Sequence, residues 1–294
     1  MAITDKQQGV WILDEVYNKI NEGDIWSYVG SNELYGFGRN HKGQLGQNNT
    51  IDRSSPVQVS GTNWKYLQAR FSTSAGFMAT KTDGTLWSWG YNEYYGMLGQ
   101  GNRTDYSSPR QVGTNTNWAF AHAGRPGESI AVKTDGTLWA WGSNTNGQLG
   151  QNGPTGPGYS GRYSSPRQIG TDTDWAYEKF NKITVGSNRM GAVKQDGTLW
   201  MWGYNSNGQL GQNNQTRYSS PVQIPGSWKA VRGAHDAVLA IKTDGTLWGW
   251  GKNQYGEIGK NQTATQWSSP TQIGTDSTWG VLGNSSFTFM AGKT

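Results

Sequence analysis

The residues best suited to chemistry are three histidines, a set of repeated aspartates and lysines, and a repeated glycine loop. His41, His122 and His235 occupy different places in the repeat scheme, and none has a second His or an acidic residue at ligand spacing. Neither a metal set nor a nucleophile–base triad is therefore indicated. Asp83, Asp135, Asp196 and Asp244 each precede a glycine, and a tight turn already explains an Asp-Gly pair. Lys81, Lys133, Lys194 and Lys242 read as strand-end surface charges. Gly-Gln-Leu-Gly lacks the Gly-Lys-Ser/Thr ending of a phosphate cradle and recurs too often to be one. The chain contains no Cys, which excludes disulfides and thiolate chemistry. The expectation is a non-enzymatic protein with no cofactor and no metal.

Residues suited to binding sit where the repeats differ. One group is Tyr91, Tyr94 and Tyr95. A second falls in Asn152–Tyr163 and includes Tyr159, Arg162 and Tyr163. A third, with Tyr177, lies in Ala176–Ile183, after a lone Trp. Rigid aromatics beside adaptable polar residues are what recognition loops use.

The elements that position these loops come from one recurring stretch. KTDGTLWSWG at Lys81–Gly90 returns at Lys133–Gly142, Lys194–Gly203 and Lys242–Gly251, with a weaker copy, GSNELYGFG, at Gly30–Gly38. Asp-Gly followed by Thr-Leu-Trp-x-Trp predicts a hairpin with a type I′ turn leading into a half-buried strand. The leucines of this motif are Leu34, Leu86, Leu138, Leu199 and Leu247, at intervals of 52, 52, 61 and 48 residues. Each hairpin is followed by a Gly-x-Leu/Ile-Gly loop, then Ser-Ser-Pro and a short β-like segment, then a lone Trp (Trp64, Trp118, Trp175, Trp228 or Trp279). That is about four short strands per unit, the pattern of a β-propeller blade. Five units predict an all-β propeller of about five four-stranded blades over residues 25–294, with six blades or an open assembly as the alternatives. The Trp pairs are read as packing between blades, with sugar stacking a secondary role.

The two ends look complementary. FMAGKT at Phe289–Thr294 matches FMATKT at Phe77–Thr82, and Asn32–Gly38 supplies the segment that should follow it. Pairing of the first and last segments would close the ring and hide open strand edges. Ile25–Val29 could instead be the first strand of the N-terminal hairpin. Residues 1–24 differ from the rest. Trp11, Leu13, Val16 and Tyr17 predict a short helix over 11–21 that caps the first blade or docks the chain to a larger assembly.

The Leu-Trp-x-Trp-Gly, Asn-x-x-Gly-Gln-Leu-Gly and Ser-Ser-Pro series resembles the regulator of chromosome condensation repeat, over nearly the whole of residues 25–294. That family forms propellers, commonly of seven blades. The tandem units behind GVWILDEVY, Gly9–Tyr17, are also similar to structural proteins of tailed bacteriophages. The resemblance implies a virion protein of the tail, a fibre or the capsid surface. It would bind other virion proteins, a host surface glycan or receptor, and further copies of itself. The alternative is a bacterial propeller that binds or inhibits another protein. A net charge of +5 without a Lys/Arg run gives no case for nucleic acid. No stretch has the length of a membrane span, and the N-terminus lacks a signal peptide's pattern. The expected location is the virion, after synthesis in a host cytoplasm.

Overall fold

A computed structural model describes residues 32–69, 76–92, 94–124, 127–153, 161–263, 265–284 and 288–294. The segment 1–24, with Trp11, Leu13, Val16 and Tyr17, lies outside the described residues, as do Ile25–Val29 and Tyr159. The strands all belong to the unit Glu33–Thr294.

Among the described residues all regular structure is β, apart from one 3-10 turn at Phe180–Lys182. Blade I is β3 (Trp64–Ala69), β4 (Gly76–Lys81), β5 (Leu86–Gly90) and β6 (Tyr106–Gln111). Blade II is β7 (Trp118–Ala123), β8 (Glu128–Lys133), β9 (Leu138–Ser143) and β10 (Arg162–Gln168). Blade III is β11 (Ile183–Gly186), β12 (Arg189–Val193), β13 (Leu199–Gly203) and β14 (Tyr218–Ile224). Blade IV is β15 (Trp228–Gly233), β16 (Ala237–Lys242), β17 (Leu247–Asn253) and β18 (Thr265–Gln272). Each is an antiparallel meander in sequence order. Two further pairs flank them: β1 (Tyr35–Gly38) with β2 (Arg53–Gln58), and β19 (Trp279–Asn284) with β20 (Phe289–Lys293). Together they hold the strands of a fifth blade.

A four-stranded sheet must bury both faces, and here each blade buries against the next. Leu86 and Val112 of blade I pack with Trp118 and Trp141 of blade II. Leu138 and Ile169 of blade II pack with Trp202 of blade III, and Leu210 and Ile224 of blade III with Trp250 of blade IV. The expectation that the Trp pairs pack between blades describes these junctions. The proline of each Ser-Ser-Pro falls in the outermost strand, and the ladder shifts register there, for example between Ser88 and Gly90 opposite β6. A residue without an N–H fits an edge strand at a bulge.

The Asp-Gly turns are not type I′. Positive φ occurs at Gly84, Gly136, Gly197 and Gly245, and at none of the aspartates before them. Gly84 N–H donates to the Lys81 carbonyl, and the Lys81 amide donates to the Thr85 carbonyl. This is a three-residue loop, a type I turn followed by a left-handed glycine. The glycine is required twice over, because a Cβ on Gly84 would lie 2.0 Å from the Thr116 carbonyl oxygen.

The expected pairing of first and last strands is not formed. Among the described residues β1 pairs with β2 alone and β20 with β19 alone. Each half-blade rests on its own neighbour: Leu34 and Val59 pack with Trp64 and Trp89 of blade I, while Leu282 and Phe289 pack with Leu239 and Leu247 of blade IV. Matching edges at the two ends do not by themselves bring those ends together.

Candidate functional site

The repeated polar residues are absorbed by the scaffold. Asp83 Oδ1 accepts hydrogen bonds from the Thr85 amide (2.9 Å) and hydroxyl (2.7 Å), and the Thr85 oxygen accepts from Trp87 Nε1 (2.8 Å). The same relay runs Asp135–Thr137–Trp139, Asp196–Thr198–Trp200 and Asp244–Thr246–Trp248. Bonds from the threonine hydroxyl and amide hold the carboxyls of Asp83 and Asp244 below the ordinary aspartate range. The amide and hydroxyl of Thr198 do the same for Asp196. At Asp135 burial pushes upward, but the bonds from Thr137 outweigh it. A carboxylate stabilised as the anion in this way is a poor general acid or base at neutral pH.

The repeated lysines are not simple surface charges. Lys81 lies 4.7 Å from the Trp64 ring and 4.5 Å from the Trp87 ring, and Lys133, Lys194 and Lys242 sit over the equivalent pairs. Each ammonium is held against two indole faces, a cation–π arrangement. Burial lowers the Lys133 pKa against the pull of Asp135.

A further repeated feature is a buried asparagine. Asn40, Asn92, Asn144, Asn205 and Asn253 each accept a hydrogen bond from the amide of the Leu or Ile inside the following glycine loop. Asn205 Nδ2 also donates to the Asn214 and Thr216 carbonyls, at 3.0 and 2.9 Å. The loops joining third to fourth strands are thereby fixed, although they contain few regular backbone bonds.

In an antiparallel meander these loops leave the blade at the end opposite the Asp-Gly turns, together with the turns joining first to second strands. Here blades I and II meet through side chains that the sequence singled out. The Tyr94 and Tyr95 rings are 4.5 Å apart, edge to face. Arg162, opening β10, places its guanidinium 4.4 Å from the Tyr94 ring and 5.6 Å from Tyr95. Tyr95 packs so closely on Gly127 that a Cβ there would come within 2.3 Å of the ring. Tyr94 remains 51% exposed. Beside them, Lys42 bridges to Asp105 at 3.2 Å and lies over the Tyr91 ring.

The other predicted residues do not join this cluster. Tyr163 stacks under Arg167 at 3.8 Å and packs, like Tyr177, on the core between blades II and III.

Beneath the same end lies a polar group that sequence reasoning missed. Arg189 is fully buried and donates to the carbonyls of His235 (2.6 Å), Ala234 (2.9 Å) and Ala237 (2.6 Å). Burial lowers its pKa to about 10, against the charges of Asp236 and Glu128. Buried Glu128 accepts from the Gly127 and Asn188 amides, and Asp236 from Gln209 and His235. These bonds link blade II to blade III and blade III to blade IV at this end. The available signal was a charged first residue in strands ESIAVK and RMGAVK, where blade IV has AVLAIK. Among the described residues no group of three or more His, Cys, Asp or Glu is placed to hold a metal ion. No helix there is long and apolar enough to cross a membrane.

A sequence model of the regulator of chromosome condensation (RCC1) repeat matches residues 31–70, 83–125, 135–193 and 196–241. The ultraviolet-B receptor UVR8 of Arabidopsis thaliana is 30% identical over 194 residues, 65% of this chain and 42% of that protein. The X-linked retinitis pigmentosa GTPase regulator of Canis lupus familiaris is 33% identical over 149 residues, 49% of this chain and 14% of that one. The chain thus spans less than half the length of these relatives. Among solved structures, yeast RCC1 (Prp20) bound to Kap60 superposes with a TM-score of 0.66 at 16% identity, covering 97% of this chain and 67% of that one. Human WBSCR16 gives 0.66 at 19%, covering 84% and 63%. At these identities the superpositions show the fold alone.

Proposed function

Because the chain belongs to the regulator of chromosome condensation repeat family, we propose that it is a non-enzymatic propeller that binds another protein through the loop end of its blades. Tyr94, Tyr95 and Arg162 form the centre of that contact. The observation carrying this reading is the exposed Tyr94 held between Tyr95 and a guanidinium from the next blade. Tyr and Arg dominate binding hot spots, and here they are fixed before any partner arrives, which lowers the entropic cost of association. A structure of yeast RCC1 holds Kap60, and the yeast protein Prp20p is described with binding to Gsp1p and histones. Those partners belong to those proteins; the shared element is the use of a propeller for protein binding.

The test is recovery of partners by the tagged chain in its native host, quantified against a Tyr94→Ala/Arg162→Ala variant. The partner is expected to fall by tenfold or more, about 1.4 kcal/mol or more, with unfolding unchanged. Equal recovery by both chains overturns the reading.

A narrower reading places the protein in a tailed-phage particle, where the partner is a neighbouring virion subunit or a host surface molecule. It is supported by the sequence resemblance of GVWILDEVY and the tandem units alone. Mass spectrometry of purified particles tests it, and absence from the particle overturns it.

A further inference from the structure

The closed junctions between described blades use the same socket. The second aromatic of a third strand enters the glycine loop of the preceding unit. There Trp89, Trp141, Trp202 and Trp250 donate Nε1–H to the carbonyls of Gln44, Met97, Gln148 and Gln209, at 2.7 to 3.1 Å. A glycine forms the wall of each socket. A Cβ on Gly46, Gly99, Gly150 or Gly211 would lie 3.0 to 3.2 Å from the indole nitrogen.

The fifth copy of the loop, Gly256–Gly259, has the same backbone bond, Gly259 N–H to Gly256 carbonyl. Among the described residues no aromatic takes the indole's place there. A Cβ on Gly259 would meet Ile273 alone within 4 Å. In its place is a cavity of about 440 Å³, lined by Glu257, Ile258, Ile273, Leu247, Phe289 and Ala291. The β20 edge beside it is unpaired among the described residues, and Met290 there is 77% exposed. The part that fits is displayed at β1. Tyr35 and Phe37 occupy the positions of Trp87 and Trp89, yet are 52% and 65% exposed, and β1 also has one unpaired edge among the described residues.

We propose that this socket receives the β1–β2 pair of a second copy of the chain, head to tail, completing a fifth blade in the order β19-β20-β1-β2. Blade I supplies the register. Phe77 lies opposite Trp89 and Ala79 opposite Trp87, so Phe289 meets Phe37 and Ala291 meets Tyr35. Among the described residues both edges stay open, with the β1–β2 pair packed on blade I and the β19–β20 pair on blade IV. A second copy fills the socket without moving either half. An unpaired edge carrying exposed aromatics is itself an association surface. The contact joins two different surfaces, so it is heterologous. It is independent of the Tyr94–Arg162 surface on blades I and II.

The chain has no Cys, so new cysteines report without background. Tyr35→Cys and Ala291→Cys are made in separate chains, mixed and mildly oxidised. The mixed covalent dimer is expected at tenfold or more over the dimer from either protein alone. The doubly substituted chain should give a ladder of multimers. An internally linked monomer without mixed dimer overturns the proposal in favour of same-chain closure. Absence of any link overturns it as well. Phe37→Trp adds an N–H for the Glu257 carbonyl and should tighten association about fivefold, the worth of one hydrogen bond. Phe37→Asp should abolish association while leaving the unfolding midpoint of the dilute chain unchanged, and association that persists overturns the proposal.

Discussion

The two ends of each blade obey different rules. At the Asp-Gly end, residues, bonds and backbone angles repeat from blade to blade. Asp135–Thr137–Trp139 and Asp244–Thr246–Trp248 make the same contacts to within 0.1 Å. At the loop end the frame is constant, a buried Asn and a glycine loop, but what it carries is not. Blade I presents Tyr94 and Tyr95 and blade II begins β10 with Arg162, while blade III carries Arg217 over Tyr204 and blade IV the exposed Tyr255. The contrast assigns stability to what repeats and recognition to what varies.

Substitutions that separate the two roles can break that assignment. The largest effect is expected from Trp202→Ala, which empties the junction between blades II and III and strands the Gln148 carbonyl. Chemical denaturation should show a loss of about 3–5 kcal/mol. Next is Asn205→Ala, which leaves the buried Leu210 amide without its acceptor and should cost about 1–3 kcal/mol in the same measurement. Gly136→Ala places a Cβ at φ 77° and 2.0 Å from the Thr173 carbonyl oxygen. It should cost at least about 1–2 kcal/mol, read as a lower thermal midpoint.

Acid provides a graded test. The carboxyls of Asp83, Asp135, Asp196 and Asp244 have depressed pKa values in the folded chain. Their contribution is complete above the unfolded aspartate pKa of about 3.9 and is lost as pH falls through the lower folded values. Unfolding midpoints followed from about pH 5 downward should decline less steeply in a variant with all four changed to Asn. The smallest effect on stability is expected from Arg162→Ala, about 0.5 kcal/mol, because this half-buried guanidinium is held by cation–π contact with Tyr94 and Tyr95. A large loss there would make Arg162 part of the frame and erase the distinction.

Much of the frame was legible because its signals are local and repeated. The Leu-Trp-x-Trp spacing, the lone Trp and Ser-Ser-Pro gave the number and order of strands in each blade. Asp-Gly suits both a two-residue loop and the last two places of a three-residue loop, so the pair alone does not specify the turn type. Only the partner of Lys81 distinguishes them, and it is Thr85. Matching ends point to closure, but sequence similarity fixes which edges could pair and not the distance between them, and β1 and β20 stay unpaired among the described residues. The roles of Asn40, Arg189 and Glu128 are less legible because such residues are ordinarily exposed: the Asn that opens each glycine-loop motif and the charge that opens ESIAVK and RMGAVK mark a position but not its burial. Tyr94, Tyr95 and Arg162 stand out separately in the sequence, but their union depends on how adjacent blades face each other. Tyr163 and Tyr177 look alike to them in composition but lie half-buried against the core between blades II and III.

The central claim is that recognition belongs to the loop end. It is tested most directly by amide hydrogen exchange on the complex that the wild-type chain recovers and the Tyr94→Ala/Arg162→Ala chain does not. Protection on binding is expected at 94–105 and at 161–163, with the turns at 82–85 and 134–137 unchanged. Protection of those Asp-Gly turns, with the loops exchanging as in the free chain, would contradict it.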